Sequence, residues 1–440
     1  MPETLTDIDF APRRATFMKK LGDGIALLPS ADLQTRNDDV EFPFRQESDF
    51  FYLTGFSEPK SFALFSPQQK AKYQIFVQPR DKEREIWNGY RLGPEAAKGV
   101  LKADAAFSSE PDTHWQQAFL EALPQADKIF YRVGRNLERD RVIFSLLEQS
   151  KRKHWKGGRW LWPIHDPHEL LGDMRLIKSK GELARLQRAA TISAEAHVNA
   201  IRAAKPGLYE YEVQAILEHT FKASGAARVG YESIVASGPN ACVLHYVTNT
   251  RKMERNDLLL IDAGAEYDYY TADITRTFPV SGNFTKEQAE VYDVVLAAQK
   301  EAIKVARPGK KFEEINNTVI EVLTEGLRKL KVLKGPLKSL ITKKAFRPYY
   351  PHSASHWLGL DVHDSGRYHV GGPNESRRLA AGMVLTVEPG LYFSPDTPSR
   401  YRGIGVRIED DVVVTAQGPQ VLTKAVPKER EEIEALSSLE

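Results

Sequence analysis

Five potential metal ligands, Asp262, Asp273, His356, Glu388 and Glu409, follow one another in the carboxy-terminal half of this 440-residue chain. Four carboxylates and one imidazole suit a pair of hard-to-borderline divalent cations. The carboxylates can bridge both ions and cancel their charge, and the imidazole takes a terminal position. Two such ions roughly 3.5–4 Å apart activate a shared water for hydrolysis. The pattern points to a dinuclear metallohydrolase.

The elements that must carry these side chains are legible around them. Leu258-Leu259-Leu260-Ile261-Asp262-Ala263-Gly264 reads as a buried strand with a charge dropped into it, and Tyr269 to Pro279 reads as a second strand. A hairpin turn centred on Tyr267-Asp268 would pair Glu266 with Tyr269 and set Asp262 opposite Asp273, with Cβ atoms about 4.5–5.5 Å apart. Met383–Glu388 and Gly405–Glu409 likewise read as strands ending in an acid, the latter leading into Val412-Val413-Val414. By period two, Arg407 shares a face with Glu409 and is placed to hold a ligand carboxylate from behind.

Of the eleven histidines, His245, His352, His356 and His363 lie in or beside the apolar segments near the acids. The other seven, His114, His154, His165, His168, His197, His219 and His369, sit in polar or helical contexts and read as structural or solvated. Imidazole is the side chain best suited to move protons near neutral pH. In the segment His352 to Asp364, Ser, Ala and Gly between the imidazoles let backbone approach a site closely.

The strings LLLIDAG, ADITRTFPVSG, SHWLGLDVHD, VLTVEPGLY and RGIGVRIEDD resemble the metal-binding motifs of the proline-specific metallopeptidases with the pita-bread fold, and within them bacterial aminopeptidase P. Arg36–Pro59 and Glu85–Gly93 resemble that family's non-catalytic domain, so the resemblance covers nearly the whole chain. It implies that Asp262, Asp273, His356, Glu388 and Glu409 are the metal ligands and that His245, His352 and His363 line the substrate site. It also implies two divalent ions per chain, manganese first with zinc or cobalt as alternatives, which deprotonate a bridging water. Ser353-Ala354-Ser355 departs from the family's glycine or bulky apolar residue between the clustered histidines, which bears on the pocket for the residue before proline.

Roles follow from chemistry. Glu388 is the expected base, since a monodentate bridging carboxylate keeps a lone pair facing the water. His363 or His352 would stabilise the oxyanion or carry protons to the leaving amine. An Xaa-Pro bond has no N–H to grip, so a pocket for the proline ring is needed, with His245, Tyr392 and Arg407 as candidates. Ile86-Trp87-Asn88-Gly89-Tyr90-Arg91 joins a bulky ring to cationic and amide groups. Trp87 is either ordinary core or, as the resemblance implies, a substrate-site residue near a neighbouring subunit's pocket in a homo-oligomer, a dimer or a dimer of dimers. The leading reading is an Xaa-Pro aminopeptidase acting on peptides with proline at the second position. The alternatives are a prolidase restricted to dipeptides and a non-catalytic peptide-binding relative.

Composition bounds this reading. The chain is too long for a typical single domain. The expected class is α/β (α+β), with a non-catalytic α/β domain over 1–172 and a pseudo-two-fold pita-bread catalytic domain over 173–440. The Pro- and His-punctuated stretch Trp162–Gly172 marks the junction, and Ser179 with Glu182 forms a capping box opening a helix to about Ala204. A weak repeat supports duplication: Lys205-Pro206-Gly207 and Arg307-Pro308-Gly309 each separate two helices and precede strands carrying site residues. With 61 basic and 59 acidic residues, no attraction to nucleic acid or membrane is expected. The basic run Lys151–Lys156 reads as a solvated face. A single cysteine, Cys242, excludes an intramolecular disulfide, suits a reducing compartment and reads as small core filler. The amino terminus lacks basic and apolar signal regions, and no stretch approaches the ~18 apolar residues of a membrane span. The expected location is the cytoplasm.

Overall fold

The computed structural model describes residues 8–157, 162–372, 375–397 and 399–437, without the side chain of Trp155. Most of the amino-terminal stretch searched for a secretion signal lies outside them. The chain divides into two compact units, Met1–Met174 and Arg175–Glu440.

The first unit is built on a six-stranded mixed sheet. Its order is Ala105–Ser108, Tyr73–Val77, Phe62–Phe65, Ile25–Pro29, Ile129–Phe130 and Ile164–His165. Helices Thr113–Ala122 and Leu137–His154 bury Trp115, Phe119 and Ile143 against the sheet, with Trp115 stacked on Phe62 at 4.8 Å. The Leu137–His154 helix ends in the basic run, whose Lys151 and Arg152 pair with Glu148 near the surface. The stretch 162–172 holds the last strand and opens the helix His168–Leu176.

The second unit is a duplicated arrangement. A helix pair, Lys180–Ala203 and Glu210–Ala223, precedes the three-stranded sheet of Ile234–Ser237, Leu258–Asp262 and Thr275–Pro279. A second pair, Lys286–Val305 and Phe312–Lys329, precedes the sheet of Val384–Val387, Asp410–Thr415 and Gly418–Val421. The capping box of Ser179 and Glu182 is present as expected. The repeat is visible in the hydrogen bonds. Gly207 N–H donates to Met253 O at 2.9 Å and Gly309 N–H to Leu379 O at 2.9 Å. Glu212 caps the Tyr209 N–H at 2.8 Å, and Glu314 the Lys311 N–H at 2.8 Å. Both glycines have positive φ, 95° and 86°, a conformation glycine adopts without cost.

One expectation is corrected. The hairpin turn is Asp268-Tyr269, both at positive φ, because Tyr267 pairs with Tyr270 and Glu266 with Thr271. In the same register Asp262 faces Thr275, not Asp273. The pair turn that closes a two-residue hairpin requires positive φ at both central positions, and these two residues supply it without a glycine. The register therefore slips by two residues, an even number, and both aspartates keep the same face. Gly264 lets the two strands close, since a Cβ there would stand 1.8 Å from Ala272 O. Gly264→Ala is expected to destabilise the protein by about 1–3 kcal/mol, as overpacking does, and to separate Asp262 from Asp273. Urea unfolding checks the first effect; an unchanged midpoint contradicts this packing.

Candidate metal centre

All four acids stand where the chain passes from one small sheet to another. Asp262 ends a strand before the chain enters Ala265–Tyr267, and Asp273 lies between Tyr270–Thr271 and Thr275–Pro279. Glu388 lies between Val384–Val387 and Gly390–Tyr392, and Glu409 between Gly405–Arg407 and Asp410–Thr415. Val387 pairs with Asp410 and Gly390 with Arg407, so the register sets Glu388 opposite Glu409. At such breaks the sheets part and side chains turn into the space between them.

His356 arrives on the neighbouring segment. Its N–H donates to Thr386 Oγ1 at 3.2 Å, and its carbonyl accepts from Thr386 N–H at 3.0 Å. Ring Nδ1 lies 3.0 Å from the Trp357 carbonyl, which takes up one nitrogen and leaves Nε2 facing Asp273 at 3.3 Å and Glu388 at 3.6 Å. That is the orientation a metal-ligating imidazole takes. Ligand atoms of Asp273, His356 and Glu409 lie within 4.8 Å of one another.

The remaining donors form a frame around the acids. Arg407 does reach a candidate-ligand carboxylate, that of Asp262, at 2.6 Å from Nη2. Its Nη1 donates to Tyr392 Oη at 3.0 Å and its Nε to Thr275 Oγ1 at 3.2 Å. Thr275 in turn donates to Glu409 Oε2 at 2.6 Å. His352 Nδ1 meets the Ser353 carbonyl at 2.8 Å, leaving Nε2 to accept from Tyr392 Oη at 2.9 Å. A cavity of about 690 Å³ opens here, lined by the five candidate ligands with His245, His352, His363 and Arg407. Tyr392 stands behind Arg407 and His352 and is not part of the lining. Trp87 belongs to the first unit; at 87 % exposure, beside exposed Ile86 and Tyr90, it is not core. Cys242 is half-buried, its thiol donating to Phe393 O at 3.3 Å and pushed by burial to about 12, which suits filler and not a nucleophile. His197 is fully buried, with Nε2 on the Ala263 carbonyl at 3.0 Å.

Three polar partners carried no signal strong enough to single them out. Tyr231 Oη lies 2.6 Å from Asp262 Oδ1 and 2.5 Å from Asp273 Oδ1, contacts spanning dozens of residues. Thr275 and Thr386 stand on the ligand-bearing strands, and period two from Asp273 would have placed Thr275 with the site.

The electrostatics test whether these residues suit divalent cations. Burial, then the neighbouring acids, pushes Glu409 well above the carboxylate range; burial also raises Glu388 to about 7 and, despite Arg407, raises Asp262. Burial would raise Asp273 too, but the His356 hydrogen bond and charge bring it below its ordinary value. Burial would lower His356, yet Asp273 and Glu388 hold it up at about 9. His352 is driven down to about 4 by burial and by Arg407, and His363 is lowered by burial and by the His356 ring. One Tyr231 hydroxyl proton cannot serve both aspartates. Four converging carboxylates short of positive charge, with one imidazole oriented by its far nitrogen, fit hard divalent cations.

A pH dependence follows for protein stripped of metal. Glu388 and His356 keep protons in the folded state above the values at which the unfolded chain releases them. Stability is therefore present at low pH and lost as pH rises through about 7 and then about 9. Ligands must be deprotonated to bind metal, so stabilisation by added metal grows over the same range. Thermal unfolding of chelator-treated protein should give a lower midpoint at pH 9 than at 6.5, with added manganese closing most of the gap. A midpoint gap that manganese leaves unchanged contradicts this account.

Comparison with known proteins agrees with the geometry. Metallopeptidase family M24 matches residues 184–416, and the aminopeptidase P N-terminal domain matches residues 10–130. The chain is 42 % identical to the Xaa-Pro aminopeptidase of Escherichia coli strain K12 over 433 residues, covering 97 % of each. It superposes on the Pseudomonas aeruginosa aminopeptidase PepP with a TM-score of 0.93 at 42 % identity, covering 98 % of this chain and 97 % of that one. A zinc-substituted Escherichia coli aminopeptidase P in complex with product gives 0.91 at 42 % identity, covering 97 % of each chain.

Proposed function

The chain belongs to metallopeptidase family M24 and carries the aminopeptidase P amino-terminal domain, and on that basis we propose that it is an Xaa-Pro aminopeptidase working with two divalent ions. The observation that carries the reading is the convergence of Asp262, Asp273, His356, Glu388 and Glu409 on one cavity. Asp262, Asp273, His356, Glu388 and Glu409 are the residues that would hold the ions. Manganese is the metal proposed, oxygen-rich sites with one imidazole being suited to it. When bound, the ions supply charge neutralisation and Lewis acidity toward the attacking water.

The chain's own residues do the rest. Asp262 is held by Arg407 and Tyr231, Asp273 by Tyr231 and His356, and Glu409 by Thr275. Among the described residues, the basic side chains within 4 Å of the Glu388 carboxylate are the imidazoles of His356 and His352, at 3.6 and 3.8 Å. Its carboxylate is the one left free to take and return a proton, and its rise to about 7 suits that task. His363 faces the cavity and stabilises the oxyanion or passes the proton to the proline nitrogen, while neutral His352 lines the same cavity with both nitrogens committed to the Ser353 carbonyl and the Tyr392 hydroxyl. Ile234, Leu244, Val247 and Val362 give apolar walls for the ring, with His245 and Arg407 orienting the peptide. The single thiol is consistent with cytoplasmic residence, and among the described residues no helix is long and apolar enough to cross a membrane.

The deciding assay compares an Arg-Pro-Pro peptide with an Ala-Pro dipeptide, with and without manganese, alongside elemental analysis. Release of the first residue from the longer peptide is expected, with two ions per chain. Preference for the dipeptide would make the protein a prolidase, and one ion or none at saturation would overturn the dinuclear centre. Glu388→Gln should abolish turnover in a folded protein. His363→Ala should cost on the order of 10²–10⁴-fold with both ions kept; loss of metal instead would make His363 a ligand.

The exposed ring of Trp87, with Ile86 and Tyr90, supports a homo-oligomer, since a clustered exposed apolar patch marks an interaction surface. In a dimer or a dimer of dimers Trp87 would wall a neighbouring subunit's pocket. Light scattering should show the oligomer, and Trp87→Ala should raise KM for longer peptides at unchanged metal content. A fully active monomer refutes this arrangement.

A further inference from the structure

His245 lies on an exposed loop, and what fixes that loop is a buried carboxylate away from the cavity lining. Glu210, at the start of the Glu210–Ala223 helix, is 0 % exposed. Its Oε1 accepts from Ser237 N–H at 2.7 Å, Ser237 Oγ at 2.7 Å and Asn240 Nδ2 at 3.0 Å. Its Oε2 accepts from Tyr246 Oη at 2.8 Å and Arg251 N–H at 2.8 Å. The Glu210 N–H completes the clamp on the Arg251 carbonyl at 3.0 Å. One carboxyl side chain thus gathers both ends of the segment 237–251 and its middle, its two oxygens accepting from five donors.

Tyr246 and His245 are chain neighbours with opposite assignments. The Tyr246 hydroxyl goes to Glu210, while His245 lines the cavity. Beyond them Asn249, buried at positive φ, accepts from Val235 N–H at 3.0 Å and donates to Ser233 O at 2.8 Å. The loop is held besides by Cys242 Sγ on the Phe393 carbonyl at 3.3 Å, by Arg407 Nη2 on the Leu244 carbonyl at 3.5 Å and by packing of Leu244 and Tyr246 with Ile234, Leu260 and Tyr392. The Tyr246 hydroxyl is the side-chain anchor next to His245.

The duplicated half shows that the fold does not itself demand this carboxylate. Counting from Gly207 and Gly309, Glu210 corresponds to Phe312, whose ring packs on Trp357 at 4.6 Å and Tyr368 at 4.8 Å. Trp357 adjoins His356. The same helix start therefore steadies a histidine-bearing segment in each half, by hydrogen bonds in one and by aromatic packing in the other.

We propose that Glu210, acting through Tyr246, is a positioning residue for His245, setting the loop that presents this imidazole to the peptide. The inference rests on the substrate role given to His245 under the proposed function. Neither Glu210 nor Tyr246 touches the substrate.

A double-mutant cycle on the full, manganese-loaded chain tests it, using an Xaa-Pro peptide substrate. Tyr246→Phe keeps the ring and removes one hydroxyl. It should lower kcat/KM about ten-fold, a small misplacement of a working group being able to cost up to about 100-fold, with metal content and thermal midpoint nearly unchanged. In a His245→Ala background the same substitution should cost less than about two-fold, the scatter of independent sites. Equal losses in both backgrounds, or no loss in either, overturn the inference while leaving the proposed function intact. If His245→Ala itself leaves turnover untouched, the role of His245 falls and this inference falls with it. Loss of metal in Tyr246→Phe would mean a general structural role and would equally overturn it.

Discussion

The arrangement of the second unit turns on the repulsion among four carboxylates drawn into one buried space. Asp262 is the last paired residue of its strand, and the other three acids lie just outside theirs, at breaks between two small sheets where a side chain can turn inward. The breaks come in pairs. Glu388 faces Glu409 across one ladder, and Asp262 lies diagonal to Asp273 across the other. Without cations, among the described residues, these charges are met by Arg407, by His356 and by the hydroxyls of Tyr231 and Thr275. That is too little positive charge for the acids present, so three of the four are pushed upward.

Duplication explains how one short motif can build such a site. In each half a helix pair with the same glycine turn and the same backbone cap delivers strands to the junction. The halves then diverge where chemistry requires it. The first closes its ladder with a tight Asp268-Tyr269 turn, which holds the two aspartates rigidly side by side. The second joins Tyr392 to Gly405 by a longer connection and brings in the His356 segment as an extra edge beside Val384–Val387. Carboxylates thus come from both halves, while the imidazole nearest the ligands comes from one.

Much of this was legible because buried strands announce themselves by composition. An acid inside Leu258–Gly264 or at the end of Val384–Val387 contradicts its surroundings, and the contradiction marks function. The register of the first hairpin was misjudged, since Asp-Tyr carries no recognised turn signature. The error was harmless to the site because an even slip preserves the face. Tyr231 and Glu210 were invisible for another reason. Their partners lie tens of residues away, and a single tyrosine or glutamate near a helix or strand has no local pattern that separates it from a surface residue. Which carboxylate Arg407 reaches was left open for a similar reason: period two gives the face but not which acid on it the guanidinium meets.

The two imidazoles flanking Glu388 show how environment divides labour among like groups. His356 has lost one nitrogen to a carbonyl and turns the other to two carboxylates, which hold it charged until about pH 9 unless a cation displaces the proton. His352 has its nitrogens committed to the Ser353 carbonyl and the Tyr392 hydroxyl, and with Arg407 close by it stays neutral down to about pH 4. A neutral ring already hydrogen-bonded on both sides cannot take a proton from Glu388 without breaking a contact. A cationic ring cannot ligate. In the proposed reaction the proton that Glu388 would remove therefore has its easiest exit toward the cavity, where His363 is exposed, lowered below its ordinary value and so available as an acceptor that readily gives the proton up again.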